Sequence, residues 1–370
     1  MTKQQPRVPS PFDLPVEDRY HGPPPLAEGQ SVFSHNPADR LFRLLDAAER
    51  MEEAPPIPMS FGIGRLDELV PTIHGGRFVV VMGRPSMGKT TLLRQLAAIE
   101  CRAISHRAAT AGVDESEWGE YVMYVSMEEG VNDVTLAVQR AGFTMTDVVL
   151  GRRGSGDLRA QFAPTVRTNL FVMSDDVRPI WKGKLEDGSF SAPAIWEEII
   201  AIREKTNRTP TAIFIDYLPE LGWGRGGAVS RTDEVRANAE ACRSMAKRLG
   251  VPVILASQAR REVDESWKRG YHPIPEIGDS EWSAKAEQAG DVVLSVTMPY
   301  RWPEAYLDKI ERVFVPAKSF PDRAYAITPD LMIVQVLKQR GLDGRGRVVL
   351  SQNFSDGSLS QANPLPTFGR

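Results

Sequence analysis

The stretch Phe78 to Leu93, FVVVMGRPSMGKTTLL, decides the fold of this chain. An apolar run rich in valine stops at a glycine, and a helix-forming run begins after the lysine. This pattern predicts a strand, a loop and a helix in succession. The loop carries GxxxxGK[ST] from Gly83 to Thr90. In that context the pattern predicts a phosphate-binding loop, because glycines let backbone N–H groups turn inward and the helix N-terminus adds unpaired donors.

The phosphate loop predicts a bound nucleoside triphosphate with Mg²⁺, and we expect the nucleotide to be ATP. Lys89 is expected to reach the β- and γ-phosphates, and Thr90 to hold the metal ion. A chance match in a glycine-containing turn is the alternative, but the flanking strand and helix disfavour it. The residues expected to contact the nucleotide are Gly83, Arg84, Pro85, Ser86, Met87, Gly88, Lys89, Thr90 and Thr91.

Composition indicates a soluble globular protein, with 42% hydrophobic and 25% charged residues among 370. The net charge of −3 provides no overall basic field, so any polyanion contact needs a local patch. The two cysteines, Cys101 and Cys242, form neither a disulfide framework nor a metal-ligand spacing. No run approaches the ~18 apolar residues of a membrane span. We therefore expect a cytoplasmic protein with no membrane contact.

Four segments are predicted along the chain. Residues 1–36 are rich in proline and form a disordered or extended arm. Residues 37–58 contain an amphipathic helix, PADRLFRLLDAAERMEE, followed by a linker, and this helix could pack on its own domain or on a neighbouring subunit. Residues 59–356 form an ATPase domain, and residues 357–370 form a flexible tail.

The domain from residue 59 to 356 alternates strand and helix patterns. This order predicts an α/β fold with a mostly parallel central sheet flanked by helices. The last two strands are expected to form a β-hairpin across GLDGRG. The predicted strands are Tyr121–Glu128, Asn169–Asp176, Thr211–Leu218, Val251–Gln258, Asp291–Met298, Leu331–Arg340 and Arg347–Asn353.

Polar residues at the ends of these strands are candidates for the chemistry of hydrolysis. Asp216 ends the buried strand IFID and is expected beside Mg²⁺, although a strand-end aspartate alone is often a cap. Glu128 could orient or deprotonate the attacking water, with Glu129 as its rival. Gln258 has a neutral amide that suits sensing of the γ-phosphate. An ordinary polar residue at the end of a strand is an equally good explanation.

Lys338 and Arg340 are two residues apart, so they share one face of a strand that leads into a glycine-rich turn. They are either solvated charges or cations that reach the nucleotide of a neighbouring subunit as an arginine finger. The residues alone favour solvated charges.

Taken together, these motifs resemble the motor domain of the DnaB family of replicative helicases, a RecA-like P-loop ATPase that assembles as a hexameric ring. GRPSMGKTT agrees with the family's phosphate loop through the intervening residues as well as the fixed ones. The segments YVSME, IFIDYL, VPVILASQ, AEQAGDVVL and VLKQRG follow in the family's order. The resemblance covers about Phe61 to Asn353.

The resemblance implies roles for individual residues. Glu128 becomes the catalytic glutamate, Asp216 the organiser of Mg²⁺, and Gln258 the γ-phosphate sensor. Lys338 and Arg340 become finger residues that act on a neighbour's nucleotide. The implied function is an ATP-dependent DNA helicase or translocase in DNA replication, a homo-oligomeric ring that hydrolyses ATP at subunit interfaces and moves along single-stranded DNA. The helix within 37–58 becomes a linker helix that packs on the adjacent protomer.

The sequence departs from the family in three places, the smallest being Pro219, which follows Leu218 where the family usually has glutamine. A proline-rich arm stands where the family has a globular N-terminal helical domain. In the DNA-contacting loop, Glu281 stands where the family has an arginine, and this carboxylate would repel DNA phosphates unless a cation compensates. The candidate DNA-binding cations are Arg225, Arg231, Arg236 and Lys285, and the alternative for the arginines is that they are solvated loop charges.

These departures leave other functions open. One is a non-unwinding DnaB-like ATPase that acts as an ATP-switched assembly or adaptor protein. Its arm would recruit replication or mobile-element proteins. A recombination or clock-type RecA relative shares the ATPase core but fits GRPSMGKTT and the Glu287-Gln288 segment less well.

Overall fold

A computed structural model describes residues 59–71, 73, 75–139, 169–174, 191–216, 231–280, 284–317, 320–341 and 345–365. The predicted arm (1–36) and linker helix (37–58) lie outside the described residues. The same holds for the glycine-rich loop 222–230, with Arg225, and for Glu281. No helix in the described ranges combines the length and the hydropathy needed to cross a membrane.

Eleven strands are described, nine in one sheet and two in a separate hairpin. They are, in chain order, β1 Phe78–Gly83, β2 Glu120–Ser126, β3 Leu170–Met173, β4 Thr209–Asp216, β5 Val253–Gln258, β6 Val292–Thr297, β7 Arg312–Ala317, β8 Phe320–Ala326, β9 Leu331–Gln339, β10 Gly346–Gln352 and β11 Leu359–Gln361. The order across the main sheet is β11-β10-β9-β6-β1-β5-β4-β2-β3.

The six strands from β6 to β3 in this order pair in parallel, with β1 between β6 and β5. Strands β9, β10 and β11 extend the sheet antiparallel beyond β6. The predicted mostly parallel α/β sheet with a C-terminal hairpin is confirmed. All the predicted strands are present, and the described bounds of each one differ from the predicted bounds by no more than three residues.

Helices cover both faces of the sheet. They are α1 Gly64–Leu69, α2 Lys89–Thr110, α3 Val131–Gln139, α4 Ala192–Thr206, α5 Arg231–Leu249, α6 Ala284–Ala289 and α7 Glu304–Leu307. One core contains α2 and the alternate β1 residues Val79 and Val81, and the other contains α4, α5, Val80 and Met82. Burial on both faces explains why β1 reads as a continuous apolar run and not as an alternating one.

Two strand regions were not predicted. The tail expected from residue 357 instead contributes β11, which pairs with β10 and buries Leu359 to 5% exposure. This short, mostly polar segment has too few apolar residues for its pattern to reveal a strand. The β7–β8 hairpin was also missed. Part of the polar segment that follows β5 forms a 3₁₀ helix, Arg261–Arg269.

Candidate nucleotide-binding site

The phosphate loop takes a shape that two glycines permit. Gly88 has a φ of +89°, in the left-handed region, and a Cβ there would lie 2.4 Å from Cε of Met332 in β9. A Cβ on Gly83, at the end of β1, would lie 2.8 Å from the carbonyl oxygen of Val296. Gly83 therefore needs glycine because a Cβ would clash with backbone, and Gly88 needs it because of its left-handed φ, since the flexible end of Met332 can move aside.

Lys89, the first residue of α2, folds back over the loop, and its Nζ donates to the carbonyl oxygen of Arg84 at 3.0 Å. Arg84 is itself held by an ion pair with Asp264 at 3.0 Å and by the carbonyl of Ala259 at 3.1 Å. The thioether of Met87 is buried and accepts the N–H of Met298 at 3.5 Å. These contacts tie the loop to the ends of β5 and β6 and set its curvature.

Asp216, at the end of β4, meets Thr90 at the start of α2. The Asp216 carboxylate is 7% exposed, accepts a hydrogen bond from the Thr90 hydroxyl, and lies 3.4 Å from the donating hydroxyl of Tyr124. Burial raises the pKa of Asp216, while Thr90 and the positive charge of Lys89 act in the opposite direction. A buried carboxylate beside a hydroxyl offers the hard oxygen ligands that Mg²⁺ prefers, so these residues fit the expected ion.

Gln258 and Glu128 lie at the same edge of the sheet as the loop. Gln258 ends β5 directly beside Gly83. Glu128 lies two residues beyond β2, where the N–H of Met127 donates to the carbonyl of Asp216 at 3.0 Å. Glu129 forms an ion pair with Arg94 of α2. Which of the two glutamates acts on water stays a prediction, and the sequence motif favours Glu128.

Lys338 and Arg340 lie at the opposite edge of the sheet. Strand β9 runs antiparallel to β6, so its end is level with the beginning of β6 and of β1. Lys338 Nζ donates to the carbonyls of Glu287 and Gln288, at 3.0 and 2.9 Å. Burial, with the nearby positive charge of Arg340, lowers the pKa of Lys338. The structure thus does not bring these two cations to the phosphate loop of their own chain.

The predicted DNA-binding cations are only partly described. Arg231 and Lys285 have backbone positions, in α5 and α6, and their side chains lie outside the described atoms. Arg236 lies on α5 and forms an exposed ion pair with Glu240 at 3.0 Å. Contact of these residues with DNA stays a prediction.

Sequence reasoning missed several residues that surround Asp216 and the loop. Arg94 lies one helical turn after Thr90, and Tyr124 lies two residues before Ser126 on the same strand face, so spacing could have indicated both. Met332, which closes on Gly88, and Asp264, which holds Arg84, come from distant parts of the chain. Local periodicity contains no signal for such contacts.

The sheet order, the phosphate loop and the carboxylate at the end of β4 define a RecA-like P-loop nucleotide-binding domain. The family model described as DnaB-like helicase C terminal domain matches residues 59–340. The chain belongs to this family, as its motifs indicated.

Similar proteins support this assignment. Replicative DNA helicase DnaB of Rickettsia bellii is 28% identical over 279 residues, covering 72% of this chain and 49% of that protein. The same-named protein of Leifsonia xyli is 26% identical, over 63% of this chain and 45% of its own length. A probable plasmid replicative DNA helicase of Chlamydia psittaci is 24% identical, over 63% and 45%. The chain thus spans about half the length of these relatives.

Solved structures agree on the fold. A solved ATPase domain superposes with a TM-score of 0.62 at 20% identity, covering 89% of this chain and all of that one. A DnaB-like replicative helicase, studied with its interactions with primase, superposes with a TM-score of 0.58 at 20% identity, covering 86% and 66%.

Proposed function

We propose that the protein is an ATP-dependent DNA helicase or translocase of the DnaB type. It acts in the cytoplasm as a homo-oligomeric, hexameric ring that hydrolyses ATP at its subunit interfaces and moves along single-stranded DNA. The contact between Thr90 and Asp216 beside Lys89 carries this proposal, because it assembles the groups that nucleotide hydrolysis needs.

Each residue of the site has a distinct task in hydrolysis. Lys89 binds the β- and γ-phosphates, while Thr90 and Asp216 hold Mg²⁺, which neutralises charge on the phosphates when bound. Glu128 orients the attacking water and accepts its proton, since it follows the strand beside Asp216. Gln258 lies between the loop and Asp216, where its amide can hydrogen-bond the γ-phosphate.

Sheet geometry supports hydrolysis between subunits. Arg340 is level with Phe78, and Phe78 is five residues from Gly83, which is roughly 17 Å along a strand. The Arg340 side chain at that edge acts on the nucleotide of another copy, because the phosphate loop of its own chain lies at the far edge. Heterologous contacts of this kind close into rings when the rotation between copies permits it.

The relatives suggest what the motor acts with. They are named as replicative and plasmid replicative DNA helicases, and one structural neighbour was solved with its interactions with primase. We infer that single-stranded DNA is the track and that replication or mobile-element proteins bind through the N-terminal arm.

A forked duplex with ATP and Mg²⁺ tests the proposal. The purified full chain is expected to separate the strands, to hydrolyse ATP faster with single-stranded DNA, and to lose turnover on Lys89→Ala. The mass of the assembly is measured in the same samples. ATP hydrolysis without strand separation would contradict the motor function.

The alternative is the non-unwinding, ATP-switched adaptor. The ion pair between Arg236 and Glu240 favours it, because the charge of one candidate DNA contact is already balanced within α5. An ATP hydrolysis rate that does not change when single-stranded DNA is added would support this second function over the helicase.

A further inference from the structure

Asp291, the residue before β6, has more contacts than a strand-end aspartate needs. Its Oδ2 accepts the N–H of Phe78 at 3.1 Å, and its own N–H donates to the Phe78 carbonyl at 2.7 Å. Its side chain is 9% exposed. Asp291 is therefore fixed to the first residue of β1, the strand that leads into the phosphate loop.

The remaining oxygen of Asp291 faces cations. Oδ1 lies 3.2 Å from Nη1 of Arg340 and 3.8 Å from Nη2 of Arg243. The Asp291 carbonyl also accepts the backbone N–H of Arg340 at 2.8 Å, and Arg77 donates to the Arg340 carbonyl at 3.2 Å. Two arginines thus meet at one carboxylate, which offsets their mutual repulsion, while Arg77 holds the backbone of Arg340.

These contacts fix the direction of the Arg340 guanidinium. Nη1 is held by Asp291, and Nη2 donates to the carbonyl of Gln288 at 3.3 Å. A guanidinium has five N–H groups, so donors remain after these two contacts, and 45% of the side chain is exposed. A buried anchor with an exposed donor edge is the arrangement that a cation aimed at another molecule requires.

We propose that Asp291 is a positioning residue for the site shared between subunits: it holds Arg340 in the orientation that meets the nucleotide of the next copy. This inference rests on the proposed function, since it needs Arg340 to act on a neighbour. Its effect passes through Arg340 alone, although Asp291 is also bonded to β1 of its own chain.

Mixed assemblies test this directly. Asp291→Asn keeps the shape and an oxygen for the Phe78 N–H but removes the charge that holds Arg340. The assembled variant is expected to lose about 10- to 100-fold in kcat, the size of a small misplacement, with KM for ATP changed less than about threefold. In an equal mixture with Lys89→Ala subunits, which keep Arg340 but cannot hydrolyse ATP in their own loop, half of the intact loops have a correctly placed Arg340 as neighbour. The rate per intact loop should therefore return to roughly half of the wild-type value.

The controls separate this inference from the proposed function. Arg340→Ala should also recover on mixing with Lys89→Ala, and the double variant Asp291→Asn/Arg340→Ala should lose no more kcat than Arg340→Ala. Asp308→Asn, an exposed aspartate after α7, should leave kcat unchanged. Thermal melting of each variant confirms that it is folded, and Asp291→Glu replaces Asp291→Asn if the latter does not fold, with the same recovery expected.

Two results would overturn the inference alone. They are wild-type turnover by assembled Asp291→Asn, and recovery of Arg340→Ala without recovery of the Asp291 variant. Undiminished hydrolysis by Arg340→Ala would instead remove the shared site from the proposed function.

Discussion

Gly88 has a left-handed φ, which an L side chain strains, and it lies against the flexible end of Met332. Gly88→Ala is expected to reduce the stability by about 1–2 kcal/mol and to weaken nucleotide binding, because relief of the strained φ turns loop N–H groups away from the phosphates. Thermal unfolding and nucleotide titration measure the two effects.

Gly112 provides a matched control for this substitution. Its φ is +68°, and a Cβ there meets nothing within 4 Å. Gly112→Ala should show the backbone cost with nucleotide affinity unchanged. Equal nucleotide affinity of the two variants would show that the conformation of Gly88 is not needed for binding.

Asp216 is expected to reduce the stability of the nucleotide-free protein while it serves the chemistry. Burial raises its pKa, so the charged form of the carboxylate is disfavoured in the folded state. The resulting loss of folding free energy is present at neutral pH and disappears as the pH falls through the raised pKa. Asp216→Asn should therefore melt at a higher temperature than wild type at pH 7, the gap closing in acid, and should lose hydrolysis. A variant less stable than wild type at pH 7 would contradict this.

Single residues at strand ends were predictable to different degrees. Asp216 and Gln258 could be found because each closes a continuous apolar strand, and parallel strands bring such ends to one edge. The ion pair between Glu129 and Arg94 could not be predicted, because it depends on the direction in which each of the two adjacent glutamate side chains turns after the strand.

Among the elements, β11 extends the sheet with three residues and buries Leu359 against α2, where the Gln95 side chain accepts the Leu359 N–H at 3.2 Å. Leu359→Ala is expected to cost about 2–5 kcal/mol, the range for large-to-small core changes. Thermal or urea unfolding measures it. Phe354→Ala, at 62% exposure in the preceding turn, should change stability by less than about 0.5 kcal/mol. Similar small effects for both would show that β11 does not contribute to the core.

The elements that sequence reasoning found are those whose apolar runs are long. Strands β1, β4 and β5 are buried on both faces, so their sequences alone predict them. Strand β11 has three residues, of which only Leu359 is apolar, and the β7–β8 hairpin carries Pro316 and Pro321, which are unfavourable in a strand. Such short or proline-containing segments give a weak strand pattern, and for β11 the stabilising contact with Gln95 comes from a distant helix.

At the scale of the whole molecule, the proposed shared site predicts that turnover depends on assembly. Arg340→Ala is expected to bind ATP with near wild-type affinity and to lose hydrolysis by about 10³- to 10⁵-fold, the range for an arginine finger. Nucleotide titration and steady-state turnover on assembled protein test this. The exposed Arg301→Ala serves as the control and should hydrolyse ATP normally.

Gly83 ends β1, and Arg340 lies level with the other end of that strand. This separation has a consequence for the number of complete active sites. If the site is shared as proposed, a row of copies that has not closed leaves one phosphate loop without a neighbouring Arg340 at one end and one Arg340 without a neighbouring nucleotide at the other. Such a row always has one fewer complete site than it has members, and closure supplies the missing one. Hydrolysis per subunit should therefore rise with the length of the row and reach its full value only when the two ends meet.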